Sequence, residues 1–234
     1  MATNKEMADK AKKIRAYKKL LKLAQEGSFD VHFTLSGLYG KDKAIPLNCL
    51  EPLTQEKDRQ FALNETLCRL AKGDPANSIQ RLEEEKRIIQ LTLAAGADPN
   101  YPCPYEMPES IFDSFMYYKK AYGALEIAKS DKFVRPKTLD KTFDDLTYSL
   151  DYYLKDGQLF PDFWDTEEEY HLYKHDVADK IELVYVLFNK GMEPHNPRIR
   201  KSLQPIYEEQ RKARENAPRP ATNSPQGGRV STGR

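Results

Sequence analysis

The sequence predicts an all-α (mainly α) protein: an irregular stack of helix-turn-helix units with an inserted irregular or short extended segment near residues 28–53. Three observations carry this reading. Apolar residues recur at the three- and four-residue spacing of a buried helix face along most of the chain. The runs are separated by Gly-Asp-Pro and Gly-x-x-Pro breaks, which stop a helix and forbid its restart. A mean hydropathy of -0.75 with 31% charged residues describes a polar body with a large surface relative to its core, as an elongated stack has.

Taken in order, the first helix spans roughly Glu6 to Gln25, with Ala11, Ile14, Tyr17 or Lys18, Leu21 and Ala24 on its apolar stripe and Gly27 as its stop. From Ser28 to Leu53 the pattern changes. Phe29, Val31, Phe33 and Leu35 alternate with polar residues before Gly37 and Gly40, which predicts an extended or looped stretch. Helical spacing resumes from Thr54 to Lys72 through Phe61, Leu63, Leu67, Cys68 and Leu70, and Gly73-Asp74-Pro75 breaks it. A further helix, capped by Asn77 or Ser78, runs to Ala95 with Ile79, Leu82, Ile89 and Leu93 on one face. Helices are then expected over Ile111–Lys129 and Lys137–Lys155, split by Arg135-Pro136. Thr166 with Glu169 three residues on has the form of a capping box opening a helix to Lys190. A last helix covers Arg198 to Asn216. The expected organisation is a basic N-terminal helix (1–27), the irregular segment (28–53), a helical domain (54–216) and a tail (217–234) whose Pro, Ser, Gly, Asn and Arg content predicts disorder.

The segment Leu91-Thr92-Leu93-Ala94-Ala95-Gly96-Ala97-Asp98-Pro99-Asn100 resembles the closing segment of an ankyrin repeat, about a third of one unit. Weaker echoes occur at Leu20–Gly27, at Asp151–Gly157 with Pro161-Asp162, and most clearly at Leu183–His195, where Gly191 and Pro194 keep the offset of Gly96 and Pro99. The glycines at 27, 96, 157 and 191 are 69, 61 and 34 residues apart, so only the last interval has the ankyrin period, and the Thr-Pro-Leu-His opening is absent. The resemblance implies a short, heavily inserted array that works by binding another protein.

Charge is segregated along the chain. Leu139–Glu182 holds 13 Asp or Glu against 4 Lys, a net -9, whereas Asp9–Lys22 and His195–Arg234 are each at +6. Cys49, Cys68 and Cys103 are odd in number and form no CxxC pair, so reduced, buried thiols in a cytosol-like compartment are expected. No apolar run reaches the roughly 18 residues that cross a bilayer, and no secretory h-region opens the chain. The Walker loop, GxGxxG and GxSxG are also missing.

His171 and His175 lie four apart with Glu168 nearby, a spacing zinc can use, but Leu172 stands where the metalloprotease helix needs Glu, so solvent-facing histidines are expected and neither metal nor cofactor. The lysines of the first helix suit a polar end cap of a stack. The most informative patch interleaves Tyr148, Tyr152, Tyr153, Phe163, Trp164, Tyr170 and Tyr173 with Asp144, Asp145, Asp162, Asp165 and Glu167–Glu169. Adjacent rings such as Tyr152-Tyr153 cannot share one helix face, so aromatic surface is left over beside fixed charge. The expected partner-binding residues are Tyr152, Tyr153, Asp162, Trp164, Asp165 and Glu167, facing a protein with a basic surface. A motif-free enzyme, or binding of nucleic acid or anionic membrane through the basic ends, is the alternative. Glu208, Glu209 and Glu215 ahead of a small polar tail resemble the translocation signals of some type IV substrates, which implies an effector in a host cytosol.

Overall fold

The structure is a computed structural model, and the residues described are 4–25, 34–35, 45–46, 56–103, 110–151, 154 and 166–216. Among them are eight helices: α1 (Asn4–Gln25), α2 (Glu56–Lys72), α3 (Ile79–Ala95), α4 (Ile111–Tyr117), α5 (Ala121–Lys129), α6 (Leu139–Ser149), α7 (Glu167–Asn189) and α8 (Pro197–Glu215). The fold is therefore all-α. Of the inserted segment only β1 (Thr34–Leu35) and β2 (Ile45–Pro46) are described, an antiparallel pair in the register Thr34 to Pro46 and Leu35 to Ile45. The tail beyond residue 216 lies outside the described residues.

Helices α2–α3 and α4–α5 are hairpins, and the second helices of successive units, α3, α5 and α7, pack side by side with α5 in the middle. The first helices form the other layer, where α2 packs on α4 and α6 on α8. Helix α1 covers the free side of α3. Its buried stripe is Ala16, Tyr17 and Leu20, with Leu23 partly buried. The predicted stripe was displaced, because Ala11 is exposed and Ile14 is 38% exposed. Adding one neighbour to only one side of α1 requires only a narrow face, and the lysines occupy the remainder.

Local signals were realised where the sequence carried them. The Ser78 hydroxyl accepts the Arg81 N–H at 3.2 Å, capping α3, and Thr166 and Glu169 form both bonds of the capping box on α7. Gly96 (φ 117°) and Gly191 (φ 70°) are both left-handed. The two turns close alike: the glycine N–H donates three residues back, Gly96 to Leu93 and Gly191 to Phe188, and the next N–H donates five back, Ala97 to Thr92 and Met192 to Leu187. Pro99 and Pro194 are buried behind them.

Between these turns lies one with no glycine, Ser130–Arg135, which the glycine spacing did not mark. Asn100 ties the first turn to it, donating from Nδ2 to the Lys132 carbonyl at 2.7 Å and accepting the Val134 N–H at 2.9 Å. Arg135 donates to the Glu193 carbonyl at 2.8 Å and Lys190 Nζ to the Ser130 carbonyl at 2.9 Å, tying it to the third. Asp140 then holds His195, accepting its backbone N–H at 2.7 Å. One end of the stack is thus a ladder of turns.

Three expectations are corrected. The helix expected over Ile111–Lys129 is two, because Lys119 is left-handed (φ 57°) and Lys120 turns its side chain into the interior. The helix expected to reach Lys155 caps at Leu150, and Leu154 still donates to the Leu150 carbonyl. Cys68 and Cys103, expected as reduced thiols, are joined in a disulfide across 35 residues, while their expected burial holds. Stacking brings the loop after α3 back against α2, which spacing alone does not reveal. Cys49 lies outside the described residues.

Two tests follow from the packing. A Cβ on Gly123, inside α5, would sit 2.1 Å from the buried Phe115 ring of α4. Gly123→Ala should destabilise by about 1–3 kcal/mol in urea unfolding despite the better helix propensity of alanine. Gly191→Ala meets no atom within 4 Å, and it should cost only the left-handed strain, about 1–2 kcal/mol. The second test concerns pH. The Asp140 carboxyl is held below its ordinary range, first by the His195 backbone N–H and then by the His195 ring and Arg135. Its contribution is present above the unfolded carboxyl value, about pH 4, and is lost as pH falls through the lower folded value. Asp140→Asn should lower stability at neutral pH and flatten the acid limb of a stability-against-pH profile.

Candidate functional site

At the opposite end of the stack from the ladder, the hairpin turns and the start of α7 enclose an open groove of about 320 Å³. Its position follows from connectivity: Pro75 and Ala76 come from the α2–α3 turn, Lys119 from the α4–α5 turn, and α7 enters at the same end. Leu82 of α3 and Tyr122 of α5 complete one wall. The other wall is α7, where Glu169, Leu172, Tyr173 and Asp176 stand at i, i+3, i+4 and i+7 on one face.

Beneath the groove is a buried charged cluster. Lys120 is 1% exposed, and its ammonium donates to the Leu70 carbonyl at 2.7 Å and to Glu85 Oε2 at 3.1 Å. The same oxygen accepts the Tyr122 hydroxyl at 2.5 Å, and Glu85 Oε1 accepts Arg81 Nε at 3.2 Å. Burial pushes the Lys120 ammonium below its ordinary range, against the pull of Glu85. Burial and the Glu85 charge push the Tyr122 phenol far upward. Neither group is placed for chemistry, since the amine is enclosed and the phenol's proton is committed to Glu85. The cluster instead joins the α2 terminus, α3 and the α4–α5 turn, and orients the Tyr122 ring.

The rim is acidic. Glu167, Glu168 and Glu169 are exposed in the first turn of α7, where the helix dipole favours carboxylates. Asp176 makes an i,i+4 pair with Lys180 at 2.6 Å. The Tyr173 phenol is raised by burial and by the Asp176 charge, so it stays protonated and able to donate. On α6, Tyr148 is 87% exposed beside exposed Asp144 and Asp145, in the last turn of the helix, whose end faces this side of the stack.

Of the expected binding residues, Glu167 stands exposed at the start of α7, pairing with His171 at 3.5 Å. Tyr152, Tyr153, Asp162, Trp164 and Asp165 lie outside the described residues. The groove brings in residues the sequence reading passed over. Pro75 registered only as a helix stop, and Tyr122, Glu85 and Lys120 give no local sign that they meet. Among the described residues no group of three or more His, Cys, Asp or Glu could hold a metal ion. No helix there is long and apolar enough to cross a membrane.

The fold and this groove together define a helical-hairpin stack with an open groove at its hairpin end. No family model, curated protein or solved structure matches the chain.

The buried cluster yields a double-mutant test. Glu85→Gln leaves the Lys120 ammonium buried without its counter-charge and should cost about 3–5 kcal/mol in urea unfolding. Lys120→Met leaves Glu85 with Tyr122 and Arg81 as donors and should cost less, and the pair of changes together should cost less than the sum of the two alone.

Proposed function

We propose that the chain is a degenerate ankyrin-like stack that acts as a protein-binding module, taking a basic segment of a partner along the acidic, aromatic hairpin end. The observation that carries this reading is the groove itself: Leu82 and Tyr122 on one wall face Leu172 and Tyr173 on the other, with Glu169 and Asp176 on the same α7 wall and Lys119 at the turn. Such a site accepts an apolar side chain flanked by Lys or Arg, the rings slowing dissociation and the carboxylates steering encounter. Glu167 and Glu168, exposed in the same first turn of α7, add the same sign of charge beside it. The ankyrin-like part of the reading is supported by the two alike Gly-x-x-Pro turns and by the hydrogen bond from Val134 to Asn100 between the first two turns, at a separation of 34 residues. The setting the reading implies is a cytosol, the chain's own or a host's, where the Cys68–Cys103 pair would meet reducing conditions.

Selection of a random peptide phage library on the full chain tests it. Recovered peptides should carry Lys or Arg beside an aromatic or aliphatic residue, and their affinity should fall as salt screens charge beyond about 10 Å at 0.1 M. Glu169→Lys with Asp176→Lys should weaken a selected peptide at least tenfold, about 1.4 kcal/mol or more. Trp164, the single tryptophan, should report the event by a fluorescence shift, and Trp164→Ala should cost on the order of 2 kcal/mol. Peptides without basic residues, or affinities indifferent to both charge reversals, would remove the groove as the site.

A further inference from the structure

The ladder end of the stack carries a second cavity with the opposite chemistry. It measures about 90 Å³, whereas a single water needs roughly 10–15 Å³ of such space, so a tetrahedral oxyanion fits. Four cations from three parts of the chain line it: Lys10 and Lys13 of α1, Arg59 of α2 and Lys132 of the glycine-free turn. Concavity concentrates the field of the cations that line it.

The geometry is partly built in advance. The Arg59 guanidinium carbon lies 6.0 Å from the centre of the buried Tyr17 ring, which holds a planar donor group at the cavity. Gly96 forms part of the wall, and the Lys13 stem passes over it at ordinary contact distance, 3.7 Å from where a Cβ would lie.

An independent observation identifies the source of the anion. Met7 is 62% and Ile14 38% exposed, the only large hydrophobic side chains exposed on α1 among the described residues, and both lie two turns apart on one edge with Lys10 between them. Ile14 also lines the cavity. Apolar side chains projecting beside a cationic site serve no purpose towards a small soluble phosphate, but they fit the boundary between headgroups and acyl chains. We propose that this face is an anionic-lipid site, in which the cavity takes the phosphate of a phosphomonoester headgroup while Met7 and Ile14 enter the interface beside it. The chain would then meet a membrane surface with its ladder end and present the acidic groove away from it.

Vesicle co-sedimentation of the full chain tests this, using phosphatidylcholine alone, phosphatidylcholine with phosphatidic acid, and phosphatidylserine vesicles of matched surface charge. Binding should be negligible on the first, strongest with phosphatidic acid and weaker with phosphatidylserine. Lys10→Gln with Arg59→Gln should weaken the phosphatidic acid interaction roughly tenfold or more, and Lys132→Gln, on a different element, should weaken it several-fold. Met7→Ser with Ile14→Ser should weaken vesicle binding with no change in urea unfolding. Lys12→Gln with Lys19→Gln removes the same charge from the opposite side of α1 and should change binding by no more than about twofold. No binding to any anionic vesicle would overturn the proposal, as would equal losses from the cavity pair and the opposite pair. It would also fail if a single-stranded RNA oligomer bound through Lys10 and Arg59 while vesicles did not.

Discussion

Glu85 receives hydrogen bonds from Lys120, Tyr122 and Arg81, and Lys120 gives another to the Leu70 carbonyl in the last turns of α2. Taking an ammonium and a carboxylate out of water is costly, and only near-complete satisfaction of their donors and acceptors makes the burial tolerable. That requirement fixes where the α4–α5 turn sits relative to α2 and α3, because the Lys120 ammonium has to reach two separate oxygens at once. Lys119 adopts a left-handed conformation immediately before it, an unfavourable choice for a lysine that the anchored neighbour imposes. The spacing of the hairpin turns, and hence the width of the groove above them, depends on this one cluster.

The parts of the fold legible in the sequence were those decided within a few residues. The Ser78 cap, the Thr166–Glu169 box and the left-handed glycines are local bargains between a side chain and its own backbone, so the pattern and the outcome coincide. What escaped was decided by neighbours distant in sequence. Ser130–Arg135 makes a stack turn without glycine because Asn100 and Lys190 supply hydrogen bonds that hold it. The break at Lys119 and the joining of Cys68 to Cys103 have the same character. In the candidate site, the acidic start of α7 could be read directly, whereas the adjacent aromatic pairs on which the expected aromatic surface rested lie outside the described residues. The wall contributed by Pro75, Leu82 and Tyr122 could not be read, because each belongs to an element whose apolar pattern is satisfied by the core.

Sorting of charge by position along the chain becomes sorting by position in space. The carboxylates of α7's first turn stand at the hairpin end, and the cations of α1, α2 and the Ser130–Arg135 turn surround the cavity at the ladder end. A near-neutral total of +1 is therefore compatible with two faces of strong and opposite sign. Within the layer of second helices the charges are instead paired across the packing: Lys86 meets Asp179 at 2.9 Å, and Lys129 bridges Glu126 and Glu182 at 3.1 and 3.0 Å. Burial raises the Asp179 carboxyl against the pull of Lys86, which marks that contact as a registering device between α3 and α7 more than a source of stability.

The turns of the ladder are linked by side chains, Asn100 and Arg135 among them, and not by a continuous backbone pairing. The first two helical units are consequently tethered by side-chain pivots at one end and by the buried Lys120–Glu85 pair at the other. Such an arrangement behaves mechanically as a row of leaves on a stiff spine: bending is soft where the pivots are and hard where the charges are. Elastic deformation would then be taken up at the ladder, leaving the spacing of the α2–α3 and α4–α5 turns nearly constant as the row flexes.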